Sequence, residues 1–127
     1  MKPHETTAQC VERKLGRKLR LIRVARGEEP ADIVFKNATY LNVFSNDFCH
    51  GDIAVSDGLI AGIGSYHGRK EVDVSGSFVC PGLIDAHIHL ESSLVSPAEF
   101  ARAVIRHGTT TVITDPHEIA NVMGVDG

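Results

Sequence analysis

Hydrophobic and polar positions change their spacing twice along the chain, and these changes mark three regions. Between about Val11 and Ala25 the apolar residues fall at helical intervals, with Leu15, Leu19 and Ile22 on a face expected to dock inward. Gly16 is a weak spot in this helix, Gly27 stops it, and residues 1–9 read as a loose polar tail. From Ala31 to Val79 short apolar runs alternate with turn residues. The pattern predicts strands over 32–36, 39–44, 52–55, 59–63, 71–74 and 77–79, with Asn37-Ala38 separating the first two. Ser56-Asp57-Gly58 lies between two apolar runs and signals a hairpin, because Asp-Gly accepts the left-handed backbone of a tight turn. This spacing predicts a small antiparallel sheet, half of a β-sandwich.

Beyond Gly82 the pattern becomes strand, helix, strand. Pro81 to Leu90 reads as a strand. Ser96-Pro97-Ala98-Glu99 then starts a helix, since Ser and Glu stand at capping-box spacing and Pro suits the first helical position. Phe100, Ala103, Val104 and His107 supply its sheet-facing side, and Gly108 ends it. Thr109 to Thr114 is rich in β-branched residues, as in a buried parallel strand. The domain plan is therefore 1–30 as tail and basic helix, 31–80 as a β-sandwich half, and 81–127 as the start of a β/α barrel. The fold class is α/β: a partial β-sandwich followed by one strand-helix-strand unit of a TIM-type barrel.

The chemistry concentrates on the strand that opens this last region. Side chains alternate along a strand, so Asp85, His87 and His89 share one face, and Ile84, Ala86, Ile88 and Leu90 share the other. Two imidazoles two residues apart converge on a point and suit zinc or another transition metal. A bare His-x-His also occurs on surfaces and in cores. The sharp Pro81-Gly82 entry, the apolar reverse face and the capped helix beyond it weigh toward a metal site. A second group, Asp115-Pro116-His117-Glu118, stands at the carboxyl end of the next strand. Asp115, Pro116 and Glu118 read as another helix start, and for Asp115 and Glu118 a site role is the alternative. His117 is not needed for capping and shares the rim with His89. Glu91 and Ser92 are either a polar loop or side chains reaching a ligand at the barrel mouth. His50 and His67 read as loop residues, and Cys49-His50 receives no role.

Composition narrows the picture further. A length of 127 residues suits one ordinary domain but not a complete β/α barrel, which takes about 250. The net charge of −3 carries no polyanion-binding signature for the whole chain. Basic residues do crowd the segment before residue 27. Without aromatic or motif signals, a solvated helix face is the reading there, and neither nucleic acid nor membrane is expected as a partner. Cys10, Cys49 and Cys80 are far apart and odd in number, which fits a reducing cytoplasm. No signal-like amino-terminal stretch and no membrane-length apolar run is present.

Taken together, the strings carry a resemblance. Pro81-Gly82-Leu83-Ile84-Asp85-Ala86-His87-Ile88-His89 resembles the first barrel strand of the amidohydrolase superfamily, and Asp57 to Gly64 resembles its amino-terminal sandwich half. His89-Leu90-Glu91-Ser92-Ser93, His107-Gly108-Thr109-Thr110-Thr111 and Asp115-Pro116-His117-Glu118-Ile119-Ala120-Asn121 resemble the bacterial adenine deaminase family within it. The resemblance implies hydrolysis of adenine to hypoxanthine and ammonia, by a water that a manganese or iron ion activates for attack on C6; the ligand types would also suit zinc. It implies His87 and His89 as metal ligands, and Asp85, Glu91, Ser92 and His117 as substrate-side or supporting residues. The general acid/base and remaining ligands would lie on later strands, so no catalytic residue is expected within this chain. The chain is thus expected to be an amino-terminal piece, inactive alone, of an enzyme that is a homo-oligomer at full length. The alternatives are another amidohydrolase, dihydroorotase-like or deacetylase-like, and a non-enzymatic β module.

Overall fold

The computed structural model describes residues 6–124. The chain divides into two compact units, residues 1–80 and 81–127.

In the first unit, helix α1 (Thr7–Ala25) begins about one turn before its hydrophobic pattern does. A capping box starts it. Thr6 Oγ1 accepts the Gln9 N–H at 3.3 Å, and Gln9 Oε1 accepts the Thr6 N–H at 2.9 Å. Two otherwise unpaired amides are satisfied by polar side chains, which a search for apolar periodicity passes over. Residues 7–9 are therefore helical, and the rest of the expected tail, 1–5, lies outside the described residues.

The docked face of α1 also differs from the expected one. Leu15, Leu19 and Ile22 remain 55%, 46% and 54% exposed, whereas Val24 is fully buried. Arg17, Arg20, Leu21 and Val24 fall at i, i+3, i+4 and i+7, and this stripe faces the sheet. Arg20 grips Asp32 with both guanidinium nitrogens, at 2.6 and 3.1 Å, and Arg17 donates to the Asp57 carbonyl at 2.8 Å. A pattern that counts only apolar residues misses a face whose contacts are mostly made by arginine.

The sheet has five strands: β1 (Ala31–Asn42), β2 (Asp47–Ser56), β3 (Leu59–Gly64), β4 (Gly68–Asp73) and β5 (Phe78–Val79). β1 is one long strand where two were expected. It continues through an irregularity between Phe35 and Ala38 in which Asn37 takes φ 58°, a conformation Asn tolerates better than most residues. β2 is longer than expected and contains His50, which pairs with Thr39 across the ladder at 3.1 Å and so is not a loop residue. The expected hairpin between β2 and β3 is present, with Asp57 at φ 52° and Gly58 at φ 76°. The sheet is mixed where an antiparallel one was expected: β1 pairs antiparallel with β2 but parallel with both β4 and β5. Val24, Ala31, Val34 and Ala54 form the core, with Ala61 and Tyr66 packed against it. Beside it, the Asp52 carboxylate takes the Lys36 ammonium and the Asn37 N–H, and these contacts hold its pKa below the usual range.

In the second unit, β6 (Leu83–Ile88) pairs parallel with β7 (Thr109–Thr114). Between them come a short 3-10 turn, Leu90–Ser93, and helix α2 (Pro97–Ile105), capped by Ser96 as expected. α2 ends before His107, which lies in the turn closed by Gly108 at φ 90°. The expected burial of β6 and β7 is not found: Ile84 is 65% exposed and Ile113 56%. Two strands and one helix provide too few layers to enclose both faces of a parallel pair. Helix α3 (His117–Met123) follows β7.

Candidate metal centre

β6 brings its two histidines to one side. His87 Nε2 and His89 Nε2 stand 3.1 Å apart, with the rings edge-on at 4.8 Å between centroids. His89 lies one residue past the end of β6 but keeps an extended backbone, φ −100° and ψ 104°, so the two-residue alternation carries through it. Its other nitrogen, Nδ1, is 3.0 Å from the backbone carbonyl of Asp115. A carbonyl only accepts, so Nδ1 carries the proton and Nε2 of the neutral ring is left as a lone pair. This is the anchoring by which proteins prepare a histidine for a metal.

Whether these residues fit a divalent cation can be tested on that distance. Two imidazole nitrogens at about 2.0–2.1 Å from a common ion lie roughly 3.0–3.4 Å apart in octahedral or tetrahedral geometry. The observed 3.1 Å is within this interval. The donor set fits manganese, iron or zinc alike.

The carboxyl end of β7 faces the same place. One ligand atom from each of His89, Asp115 and His117 lies within 4.8 Å of the others. His117 Nδ1 is 3.1 Å from Asp115 Oδ2, and the His89 and His117 rings meet edge-on at 4.9 Å. Here the helix-start reading of Asp115 is corrected. The residue at the cap of α3 is Pro116, with no side-chain hydrogen bond, and the Asp115 carboxylate turns to His117 instead. The first amides of α3 are taken by Glu91, whose Oε1 accepts from Glu118 N–H at 3.1 Å and from Ile119 N–H at 3.4 Å. Its pKa is lowered, first by its own backbone N–H and then by the α3 amides, against the effect of desolvation. Ser92 Oγ donates to Glu118 Oε2 at 3.4 Å. Asp85 lies apart from both imidazole rings' nitrogens in these contacts: its Oδ1 accepts the His87 backbone N–H at 3.1 Å and stiffens the strand.

The sequence points to His87 and His89 as ligands and to His117 and Asp85 beside them, with Glu91 and Ser92 left between a loop and a site role. It left undecided the residue that links them, Asp115, whose carbonyl holds His89 and whose carboxylate holds His117. The Asp-x-His spacing was the available signal.

The amidohydrolase family model matches residues 78–127. Among solved structures, the chain is similar to N-acyl-D-glutamate deacylase from Bordetella bronchiseptica, complexed with zinc and a phosphonate inhibitor. That match has a TM-score of 0.58 and 30% identity, over 68% of this chain and 19% of the other. It is also similar to L-hydantoinase from Arthrobacter aurescens, with a TM-score of 0.55 and 26% identity, over 68% and 21%. These matches make the chain similar to the amino-terminal part of amidohydrolases. Among curated proteins it is similar to adenine deaminases. It is 58% identical over 107 residues to that of Desulfatibacillum aliphaticivorans, covering 84% of this chain and 19% of the relative. It is 52% identical over 118 residues to that of Clostridium acetobutylicum, covering 93% and 20%. The chain spans about a fifth of the length of these curated relatives.

Proposed function

We propose that this chain supplies the first metal-binding strand of a metal-dependent aminohydrolase that converts adenine and water to hypoxanthine and ammonia. The observation that carries the reading is the pair of Nε2 atoms at 3.1 Å with His89 anchored through Nδ1. Similarity to adenine deaminases supports adenine as the substrate.

His87 and His89 would hold a divalent cation, manganese or iron in this reading, which supplies Lewis acidity toward a water molecule. The chain's own part is orientation. The Asp115 carbonyl keeps the proton of His89 on Nδ1, so its lone pair stays directed toward His87. Asp85 braces the strand between them. Glu91 holds the start of α3, and with it His117, beside the imidazole pair. Ser92 and His117 stand on the rim, where a hydroxyl and an imidazole can meet the donors and acceptors on the edge of a purine. The proton-transferring residues belong to the larger part of the enzyme, so the chain alone is inactive. We assign the full-length enzyme to the cytoplasm and to a homo-oligomeric state, with neither nucleic acid nor membrane as partner. The cysteines, none of them disulfide-bonded, agree with a reducing compartment. No helix among the described residues is long and apolar enough to cross a membrane.

The test uses the full-length protein carrying this segment, loaded with manganese or iron. Ammonia release is measured from adenine, adenosine and dihydroorotate. Adenine is turned over and adenosine much less. His87→Ala or His89→Ala removes metal and most activity. If adenine is inert while a cyclic ureide or an N-acyl amino acid is hydrolysed, the substrate is that of a hydantoinase-like or deacylase-like amidohydrolase, the second reading that the structural neighbours favour.

A further inference from the structure

We propose that the groove between the amino half of α1 and the turn joining β2 to β3 binds an amphiphilic monocarboxylate, a carboxylate carrying a medium-length alkyl tail. Val11, Lys14, Lys18 and Leu21 fall at i, i+3, i+7 and i+10 of α1 and so share one side of it, next to the stripe that docks on the sheet. That side of the helix and the turn at 56–59 border a groove of about 530 Å³, within the roughly 300–1,000 Å³ of small-molecule sites. Its walls are apolar and are formed by Val11, Leu15, Leu21 and Leu59, which suits an alkyl tail.

The charge around these walls is positive. Lys14, Arg17 and Lys18 line the groove, and among the described residues the side chains of Lys14 and Lys18 have no ionic or hydrogen-bond partner. Arg17 donates to the Asp57 carbonyl, a neutral acceptor that leaves its charge in place. The one carboxylate on the groove among the described residues, that of Asp57, already faces the Arg20 guanidinium at 3.4 Å. Such a surface attracts an anion. Ser56 is a second, independent sign of a ligand. It is fully buried in the wall of the groove, and its Oγ has no hydrogen-bond partner among the described residues. Buried hydroxyls are normally paired, and rotation of the Ser56 side chain offers this one to an acceptor in the groove. A carboxylate there accepts from Ser56 and meets Lys14 and Lys18, while its tail covers the leucines. A second copy of α1 laid in the same groove would set like charges against one another, which disfavours it as the occupant. Every residue of the site lies in the first unit.

The experiment uses the 127-residue chain and sodium decanoate below its micelle-forming concentration, followed by calorimetry and by amide NMR shifts. Binding saturates at one decanoate per chain, and the shifts cluster at Val11, Leu15, Leu21 and Leu59. Decyltrimethylammonium, with the same tail and the opposite charge, binds at least ~10-fold more weakly. Lys14→Gln and Lys18→Gln together, both at exposed positions, weaken decanoate about 5-fold or more. Ser56→Ala weakens it about 3-fold or more and leaves the urea midpoint unchanged or higher, since the hydroxyl has no partner to lose. If Ser56→Ala disturbs the fold, the double lysine variant decides. Equal binding of the two amphiphiles, or undiminished binding by that double variant, reveals a merely apolar surface and overturns the proposal. Shifts confined to other residues overturn it as well. No binding of decanoate overturns it outright, and if a synthetic acidic amphipathic helix binds in its place the groove is a protein-docking site.

Discussion

Replacing Val24 by Ala tests the docking of α1 directly. Val24 is fully buried against Ala31, Val34 and Ala54, whereas Leu19 on the far side of the helix is 46% exposed. Val24→Ala removes two methyl groups, about 1.6 kcal/mol of transfer free energy at about 0.8 per group, and leaves a small cavity that brings the loss to roughly 2–3 kcal/mol. The better helix propensity of Ala offsets about 0.6 kcal/mol of this, for a net loss near 2. Leu19→Ala removes a larger side chain, yet its cost stays within about 0.5 kcal/mol because the residue gives up little burial and Leu and Ala are both strong helix formers. Urea unfolding separates the two. Both tyrosines, Tyr40 and Tyr66, lie in the first unit and there is no Trp, so tyrosine fluorescence reports on that unit alone. With a slope of about 1–2 kcal/mol per molar for a unit of this size, Val24→Ala lowers the midpoint by at least ~1 M, and Leu19→Ala leaves it nearly unchanged. A larger shift for Leu19→Ala would mean that the helix docks through its leucine face, and the arginine-lined interface would be wrong.

Other outcomes follow from the same contacts. The hydrogen bonds from Arg20 hold the Asp32 carboxyl at about 2, below its unfolded value near 3.9. A depressed carboxyl stabilises the fold above the unfolded pKa, so this contribution is present above about pH 4 and is lost as pH falls toward 2. With 37% of the Asp32 side chain exposed, we expect about 1 kcal/mol, and Arg20→Gln removes this acid-sensitive step from a pH titration of stability. Gly58→Val forces a β-branched residue to φ 76° in open space, so its cost is purely of backbone origin, about 1–2 kcal/mol by thermal unfolding. Gly82→Ala, one residue before β6, places a Cβ 2.7 Å from Thr110 Cβ in β7. Amide exchange along both strands should rise, and unchanged protection would show that the approach is looser than described.

The fold was legible where each element signals itself locally. The Asp57-Gly58 hairpin, the Ser96-Pro97 helix start and the β-branched run of β7 each carry their cause in adjacent residues. The sheet's direction was not legible. β4 and β5 run parallel to β1, and parallel pairing between strands this far apart in sequence leaves no turn to read. The face of α1 was misread for a related reason. Arg20 reaches Asp32 and Asp57, so the docked stripe is polar by composition although buried by contact.

The site shows how a residue's role depends on what a distant residue has already taken. Asp115, Pro116 and Glu118 have the local grammar of a helix cap, and nothing within those residues rules that role out. Glu91, on the preceding loop, fills it: its Oε1 receives the first amides of α3. With the Glu118 and Ile119 amides taken, the Asp115 carboxylate meets the His117 ring instead. The same displacement leaves the Asp115 carbonyl facing His89. Glu91 therefore acts on the imidazoles without touching their nitrogens, by releasing the residue that orients both. It follows that Glu91→Gln, which keeps an acceptor for the amides, should preserve divalent-metal binding by His87 and His89 in the full-length protein better than Glu91→Ala, which frees those amides for Asp115. Equal binding by the two variants would place the orientation of His89 and His117 outside the control of Glu91.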